Sequence, residues 1–214
     1  IINEDPSNSC EDGLVVNGNQ IQICLYAPNK DYVALKSNWN ASYPNGELMK
    51  LSQNGFWWYN SNLTEGNYEY QYNIDGKKLI ADPWSRDVIW KDIVSISESA
   101  DFQRAKTSFS IGEDAFQWSD SDFLRPSMNE LIIYEMHVGD FGANQDSSGT
   151  FNDVSEKIES GYFTSLGINA IELMPVGEFE GGNSWGYDPS FYMAPESAYG
   201  TINDLKNLVP MKIS

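Results

Sequence analysis

The sequence predicts a multi-domain chain: an all-β sandwich of immunoglobulin-like type, followed by an incomplete β/α barrel segment made of strand, helix, strand and loop. Three observations carry that prediction. Residues 13–118 read as short strands between turn signals, residues 119–129 have neither a helical nor a strand period, and residues 130–214 switch to a βαβ pattern. The expected domains are therefore a sandwich at 1–118, a linker at 119–129 and a βαβ part at 130–214, whose place at the front of a truncated barrel is what the resemblance given below implies.

In the sandwich, Asn17-Gly18 sits between Leu14-Val15-Val16 and Ile21-Gln22-Ile23, a strong hairpin signal. Tyr32–Leu35, Glu47–Leu51 and Gly55–Tyr59 are further strands. The clearest is Asn67–Asp75, where Tyr68, Tyr70, Tyr72 and Ile74 alternate with polar residues. Such period-two alternation makes a sheet with one buried face. Asp75-Gly76 then turns the chain into Lys78-Leu79-Ile80. Cys10 and Cys24 flank the first hairpin, and Cys24 points away from the face shared by Ile21, Ile23 and Leu25. That geometry leaves a disulfide open, but the reading leans to free thiols. Two cysteines without CxxC spacing do not make a metal site.

Beyond the linker, Glu130–Val138 reads as a mostly apolar strand. Phe151, Val154, Ile158, Tyr162 and Leu166 recur at spacings of three and four, the period of an amphipathic helix. Thr150 is its expected N-cap and Gly167 its stop. A second strand, Ala170–Met174, completes the unit, which implies parallel strands and a right-handed crossover. A long loop of aromatics, glycines and prolines follows, up to a helix start at Thr201. Loops of that length are usually functional.

Composition narrows the function classes. There are 31 Asp+Glu against 13 Lys+Arg, a net charge of -18. That speaks against nucleic acid, whose binding needs clustered cations, and against an anionic membrane. No apolar run approaches the roughly 20 residues of a membrane span. The excess acid is read as serving solubility. No signal peptide is present, yet the chain opens on Ile1. The expectation is that an upstream segment was removed, and a secreted or periplasmic site is favoured over the cytoplasm.

The motifs resemble those of the α-amylase family of retaining glycoside hydrolases, which have a (β/α)8 barrel. Ile133–Phe141 resembles the family's first barrel strand, Ile171-Glu172-Leu173-Met174-Pro175 its second, and Trp185-Gly186-Tyr187-Asp188-Pro189 the loop after it. Leu25–Pro28, Glu65–Tyr70, Ile74-Asp75-Gly76 and Ala81–Ser85 resemble the starch-binding-type sandwich that precedes the barrel in branching enzymes, isoamylases and related amylases. The resemblance implies α-glucans, as polysaccharide or oligosaccharide, for the parent, and no cofactor or metal. It leaves open whether the parent hydrolyses, debranches or branches. The family's three catalytic acids lie on later strands, and a barrel needs roughly 250 residues. The chain is thus expected to be a front fragment, inactive alone, whose exposed barrel half self-associates. The rival reading is a non-catalytic carbohydrate-binding or interaction module.

A retaining glycosidase needs two carboxyl groups about 5–5.5 Å apart. Pairing Glu172 with Glu178, or Asp140 with Asp188, is set aside on the resemblance: Glu172 is read as a strand carboxylate and Glu178 as solvated. His137 reads as a satisfied core residue lining the barrel. Tyr187 is the strongest substrate-binding candidate, because a sugar's C–H face packs on a rigid aromatic plane, and in similar enzymes the matching tyrosine stacks under the sugar to be cleaved. Trp185 is the second candidate. Trp39 matches a glycan-contacting tryptophan of glycogen-binding sandwiches. Lys77-Lys78 and Gln71 depart from that pattern, so a structural sandwich is preferred. Trp57 and Trp58 are consecutive and face opposite sides of a strand, so at most one is exposed.

Overall fold

The structure is a computed structural model that describes residues 2–90, 105–143, 148–181 and 184–213. Residues 91–104 of the expected sandwich stretch lie outside the described residues, as do Ile1 and Ser214. The chain divides into two compact units: residues 1–114 with 191–194, and residues 115–190 with 195–214.

The first unit is a β-sandwich. Its strands are β1 (Gly13–Asn17), β2 (Gln20–Tyr26), β3 (Val33–Ser37), β4 (Glu47–Leu48), β5 (Lys50–Leu51), β6 (Phe56–Asn62), β7 (Gly66–Ile74), β8 (Lys78–Ile80), β9 (Val88–Trp90) and β10 (Ala105–Ile111). One sheet runs β1-β2-β6-β5; the other runs β4-β3-β7-β10-β9, with β8 also paired to β7. The Asn17-Gly18 signal gives the β1–β2 hairpin, with Asn17 opposite Gln20. Alternation then sends Ile21, Ile23 and Leu25 inward, where they pack with Val33, Leu35, Trp57, Tyr70 and Tyr72. At about 25 cal/mol per Å² of apolar surface removed from water, these large side chains supply most of the drive for the fold.

The Ala81–Ser85 motif has a structural explanation. Asp82 is buried, and its Oδ2 accepts hydrogen bonds from the Tyr70 hydroxyl at 2.7 Å and the Tyr72 hydroxyl at 2.9 Å. Burial pushes its carboxyl above the usual range, and the two tyrosine donors oppose that shift. Gln71 is likewise buried and donates to the Ala105 carbonyl.

One expectation is corrected here, and the expectation that at most one of Trp57 and Trp58 is exposed is met. Cys10 and Cys24 are bridged, with Cα atoms 5.9 Å apart. The β1–β2 register places Gly13 opposite Cys24, so Cys10, three residues earlier, lies within reach. Trp57 and Trp58 are both buried, because the segment before β1 covers the outer ring and the Trp58 Nε1–H donates to the Glu4 carbonyl.

In the second unit, β11 (Ile133–Met136) and β12 (Ala170–Leu173) pair in parallel, Ile133 opposite Ala170 and Met136 opposite Leu173. The first strand is shorter than expected: Met128–Glu130 is a 3-10 turn, and α1 (Val138–Phe141) starts immediately after His137. The amphipathic helix is split into α2 (Phe151–Glu159) and α3 (Tyr162–Ser165). Gly161, left-handed at φ 72°, makes the break. The break rotates the helical face, so Phe151, Val154 and Phe163 are buried while Tyr162 and Leu166 turn outward. Thr150 caps α2 as expected: its hydroxyl accepts the Asp153 N–H, and Asp153 accepts the Thr150 N–H in return. The same capping box, Thr201 with Asp204, opens α4 (Ile202–Leu208). Between these elements, β13 (Gly177–Phe179) and β14 (Pro189–Pro195) pair with each other and bracket the aromatic loop.

Candidate functional site

The site is built on the loop between β13 and β14, and its position is set by side chains at its base. His137, the N-cap of α1, receives the Asp140 N–H on Nδ1 at 3.1 Å, with an Asp140 carboxylate oxygen 3.0 Å away. The Ser184 carbonyl can only accept, so Nε2 carries a proton and donates to it at 2.8 Å. The Tyr199 hydroxyl stands 2.7 Å from the same Nε2. A histidine read as a satisfied core residue is indeed enclosed and paired, and its pairing holds a loop.

The turn is closed by its own polar atoms. The Ser184 hydroxyl donates to Asp188 Oδ1 at 2.6 Å and accepts the Gly186 N–H at 3.1 Å. Gly186 is buried with φ 79°, and a Cβ there would overlap the Pro175 carbonyl oxygen. Only glycine fits that combination of a left-handed backbone and close approach. The neighbours on either side point outward: Trp185 is 67% exposed and Tyr187 is 68% exposed. Both expected binding residues thus sit together on one tightly held turn.

Below the turn lies a carboxylate pair. Glu178 and Glu196 are each 1% exposed. Glu178 accepts the Ser197 N–H at 2.7 Å and the Ser197 hydroxyl at 3.2 Å. Glu196 accepts the Phe179 N–H at 3.0 Å and the Ala198 N–H at 2.8 Å. Burial and the neighbouring Glu178 charge push the Glu196 carboxyl up to about 8. Burial and then the Glu196 charge raise Tyr199 above the usual phenol range. The reading of Glu178 as solvated is therefore corrected: the strand pairing that closes the loop carries it inside. Glu172 is an exposed strand carboxylate, and Asp188 is taken by Ser184. Neither expected alternative forms an acid pair poised for chemistry, and among the described residues no cluster of three or more His, Cys, Asp or Glu could hold a metal.

Trp39 lies in the sandwich. It packs edge-on against Tyr68, Tyr70 and Phe109, and its Nε1–H donates to the Tyr59 hydroxyl at 3.4 Å. Those contacts make it a margin of the core more than an open platform. The anchors His137, Ser184, Tyr199 and Glu196 were not legible as site residues, although the Ser-x-Gly-x-Asp spacing of 184–188 is the kind that closes a turn on side-chain oxygens.

Against known proteins, no family model matches the chain. Malto-oligosyltrehalose trehalohydrolase of Saccharolobus solfataricus is 29% identical over 199 residues, covering 93% of this chain and 30% of that protein. A 1,4-alpha-glucan branching enzyme of Picrophilus torridus is 29% identical over 190 residues, covering 86% of this chain and 25% of that protein. Over most of its length the chain is thus similar to enzymes of the α-amylase family. In fold it matches the pullulanase SAP of group B Streptococcus, with a TM-score of 0.69 at 25% identity over 95% of this chain and 32% of that one. The same pullulanase has been solved in complex with maltotetraose, where the match has a TM-score of 0.70 at 24% identity over 97% of this chain and 32% of that one. The chain spans less than a third of the length of the relatives it matches.

Proposed function

We propose that the chain is the N-terminal part of an α-amylase-family enzyme acting on α-glucans, and that residues 130–214 supply the first strand, helix and strand of its (β/α)8 barrel. The parallel pairing of β11 with β12 supports the barrel assignment, as does the loop at the C-terminal end of β12, where barrels build their sites. The parent reaction is double displacement at an α-glycosidic bond, with the reacting carboxylates supplied by later strands. Glu178 and Glu196 do not serve, being enclosed and committed to backbone N–H groups.

This chain's share of the site is the sugar platform. The observation that carries the proposal is the contrast between two exposed rings, Trp185 and Tyr187, and the tightly bonded turn that holds them. A fixed ring packs on the C–H face of a glucose unit without first giving up its own freedom. Maltotetraose followed by tryptophan fluorescence tests this. Tyr187→Ala is expected to weaken binding about three- to tenfold, and unchanged binding in a folded Tyr187→Ala chain refutes it.

Two further parts of the proposal concern surroundings. The Cys10–Cys24 bridge supports an oxidising compartment, secreted or periplasmic. The second unit also has an apolar cleft of about 600 Å³, lined by residues such as Leu131, Ile158, Ile171, Leu173 and Leu208. Among the described residues no further strand pairs with β11 or β12. In the isolated chain a second copy is its occupant, since an identical unpaired edge and apolar face are what it offers.

A further inference from the structure

The first unit has a second concave site, on the outer face of the β1-β2-β6-β5 sheet. The segment before β1 crosses that face as a strap pinned at both ends. At one end the Glu4 N–H donates to the Leu51 carbonyl, and the Glu4 carbonyl accepts from Trp58 Nε1 at 2.7 Å. At the other, Cys10 is bonded to Cys24, and Asp12 Oδ1 accepts the Tyr26 N–H at 2.6 Å. Beside the middle of the strap, at Asn8, lies a cleft of about 320 Å³, within the range of about 300–1,000 Å³ common to small-ligand clefts.

Strand register makes its floor. Asn17 pairs with Gln20, Gln20 with Asn62, and Gln22 with Asn60. Because Ile21 and Ile23 face the core, alternation turns all five of these amides outward. The cleft is lined by amide and hydroxyl side chains with Val15 and Ile21, and no charged side chain is among them, although the chain carries a net charge of -18. Gln22 Nε2 is enclosed and has no hydrogen-bond acceptor.

We propose that this cleft binds a neutral polyhydroxylated chain, that is, an uncharged oligosaccharide, with the strap as one wall. Each amide offers a donor and an acceptor, as each sugar hydroxyl does, so both partners are satisfied without any charge. An anion finds no cation here, a cation finds no carboxylate, and an apolar ligand strands the amides. The unpaired Gln22 Nε2 is enclosed, so it gains an acceptor only when its side chain turns into the cleft. With Val15 the apolar side chain that the lining presents on this face, Ile21 being turned into the core, binding is weak and depends on the strap staying in place. The inference does not rest on the platform reading of Tyr187.

The test is a ¹H–¹⁵N titration of the full chain with maltotetraose, cellotetraose and, as a charged control, an oligogalacturonate. At least one neutral oligosaccharide is expected to shift the side-chain amide signals of Gln22 and Asn60, and the charged control is not. Asn60→Ala/Asn62→Ala, both at exposed positions, is expected to weaken binding about tenfold, and Cys10→Ser/Cys24→Ser is expected to weaken it by freeing the strap. If the cysteine variant does not fold, the asparagine variant decides. Silent cleft signals, equal shifts with the charged control, or unchanged affinity in the folded asparagine variant overturn the proposal. Shifts confined to Trp185 and Tyr187 overturn it while leaving the platform reading intact.

Discussion

Glu178 and Glu196 exchange partners: each carboxylate accepts the backbone N–H of the residue that follows the other, Ser197 for Glu178 and Phe179 for Glu196. The two bonds cross between the chain entering the aromatic loop and the chain leaving it. Two buried like charges repel, so one carboxyl holds its proton well into neutral pH.

That arrangement predicts a pH dependence of stability with a definite sign. The Glu196 carboxyl is raised from 4.5 to about 8 in the folded chain, so between those values the folded state holds a proton that the unfolded state has released. Its contribution is complete below pH 4.5 and is lost as pH rises through about 8. Thermal melts of the intact chain are expected to show the second unit weakening across that window, by on the order of a few kcal/mol. Glu196→Gln gives up one acceptor and starts lower, and its melting temperature is expected to vary much less with pH. Parallel pH profiles for the two chains contradict the shared-proton account.

Gly186 predicts a local effect. Alanine there meets a left-handed backbone and the Pro175 carbonyl together, and strain of the first kind alone costs about 1–3 kcal/mol. Gly186→Ala is expected to speed hydrogen exchange at residues 184–188 and to weaken maltotetraose binding, with the sandwich melt unchanged. Exchange as slow as in the parent chain contradicts it.

Self-association is the third expectation. Ile133 lies on β11 and is half exposed. Light scattering is expected to give the mass of a dimer, and Ile133→Lys the mass of a monomer, since a lysine on an open edge blocks pairing. A parent chain that is monomeric at every concentration refutes this, and an assembly that survives Ile133→Lys places the contact elsewhere.

Local signals are legible in this sequence and non-local ones are not. The Asn17-Gly18 turn, the Tyr68–Ile74 alternation and the Thr150 cap each depend on a few adjacent residues, and each stands in the structure. The helix expected across 151–166 was read by period alone, and Gly161 breaks it because one left-handed residue outweighs the spacing. The Cys10–Cys24 bridge required the hairpin register, which spacing does not give. Tyr187 and Trp185 stand out in the sequence as candidates because the loop is rich in rings and glycines. Their anchors do not, since Glu196 and Tyr199 act on residues more than a dozen positions earlier.

The Ser184–Asp188 turn is held by atoms that belong to neither ring it displays. His137, Asp188, the serine hydroxyl and the Gly186 backbone fix its course, and Trp185 and Tyr187 project from it into solvent. Replacing those two rings therefore alters what the turn presents without altering how it is folded. Exchanges at 185 and 187 thus change the sugar-facing surface alone, whereas exchanges at His137, Ser184, Gly186 or Asp188 change the support on which any such surface stands.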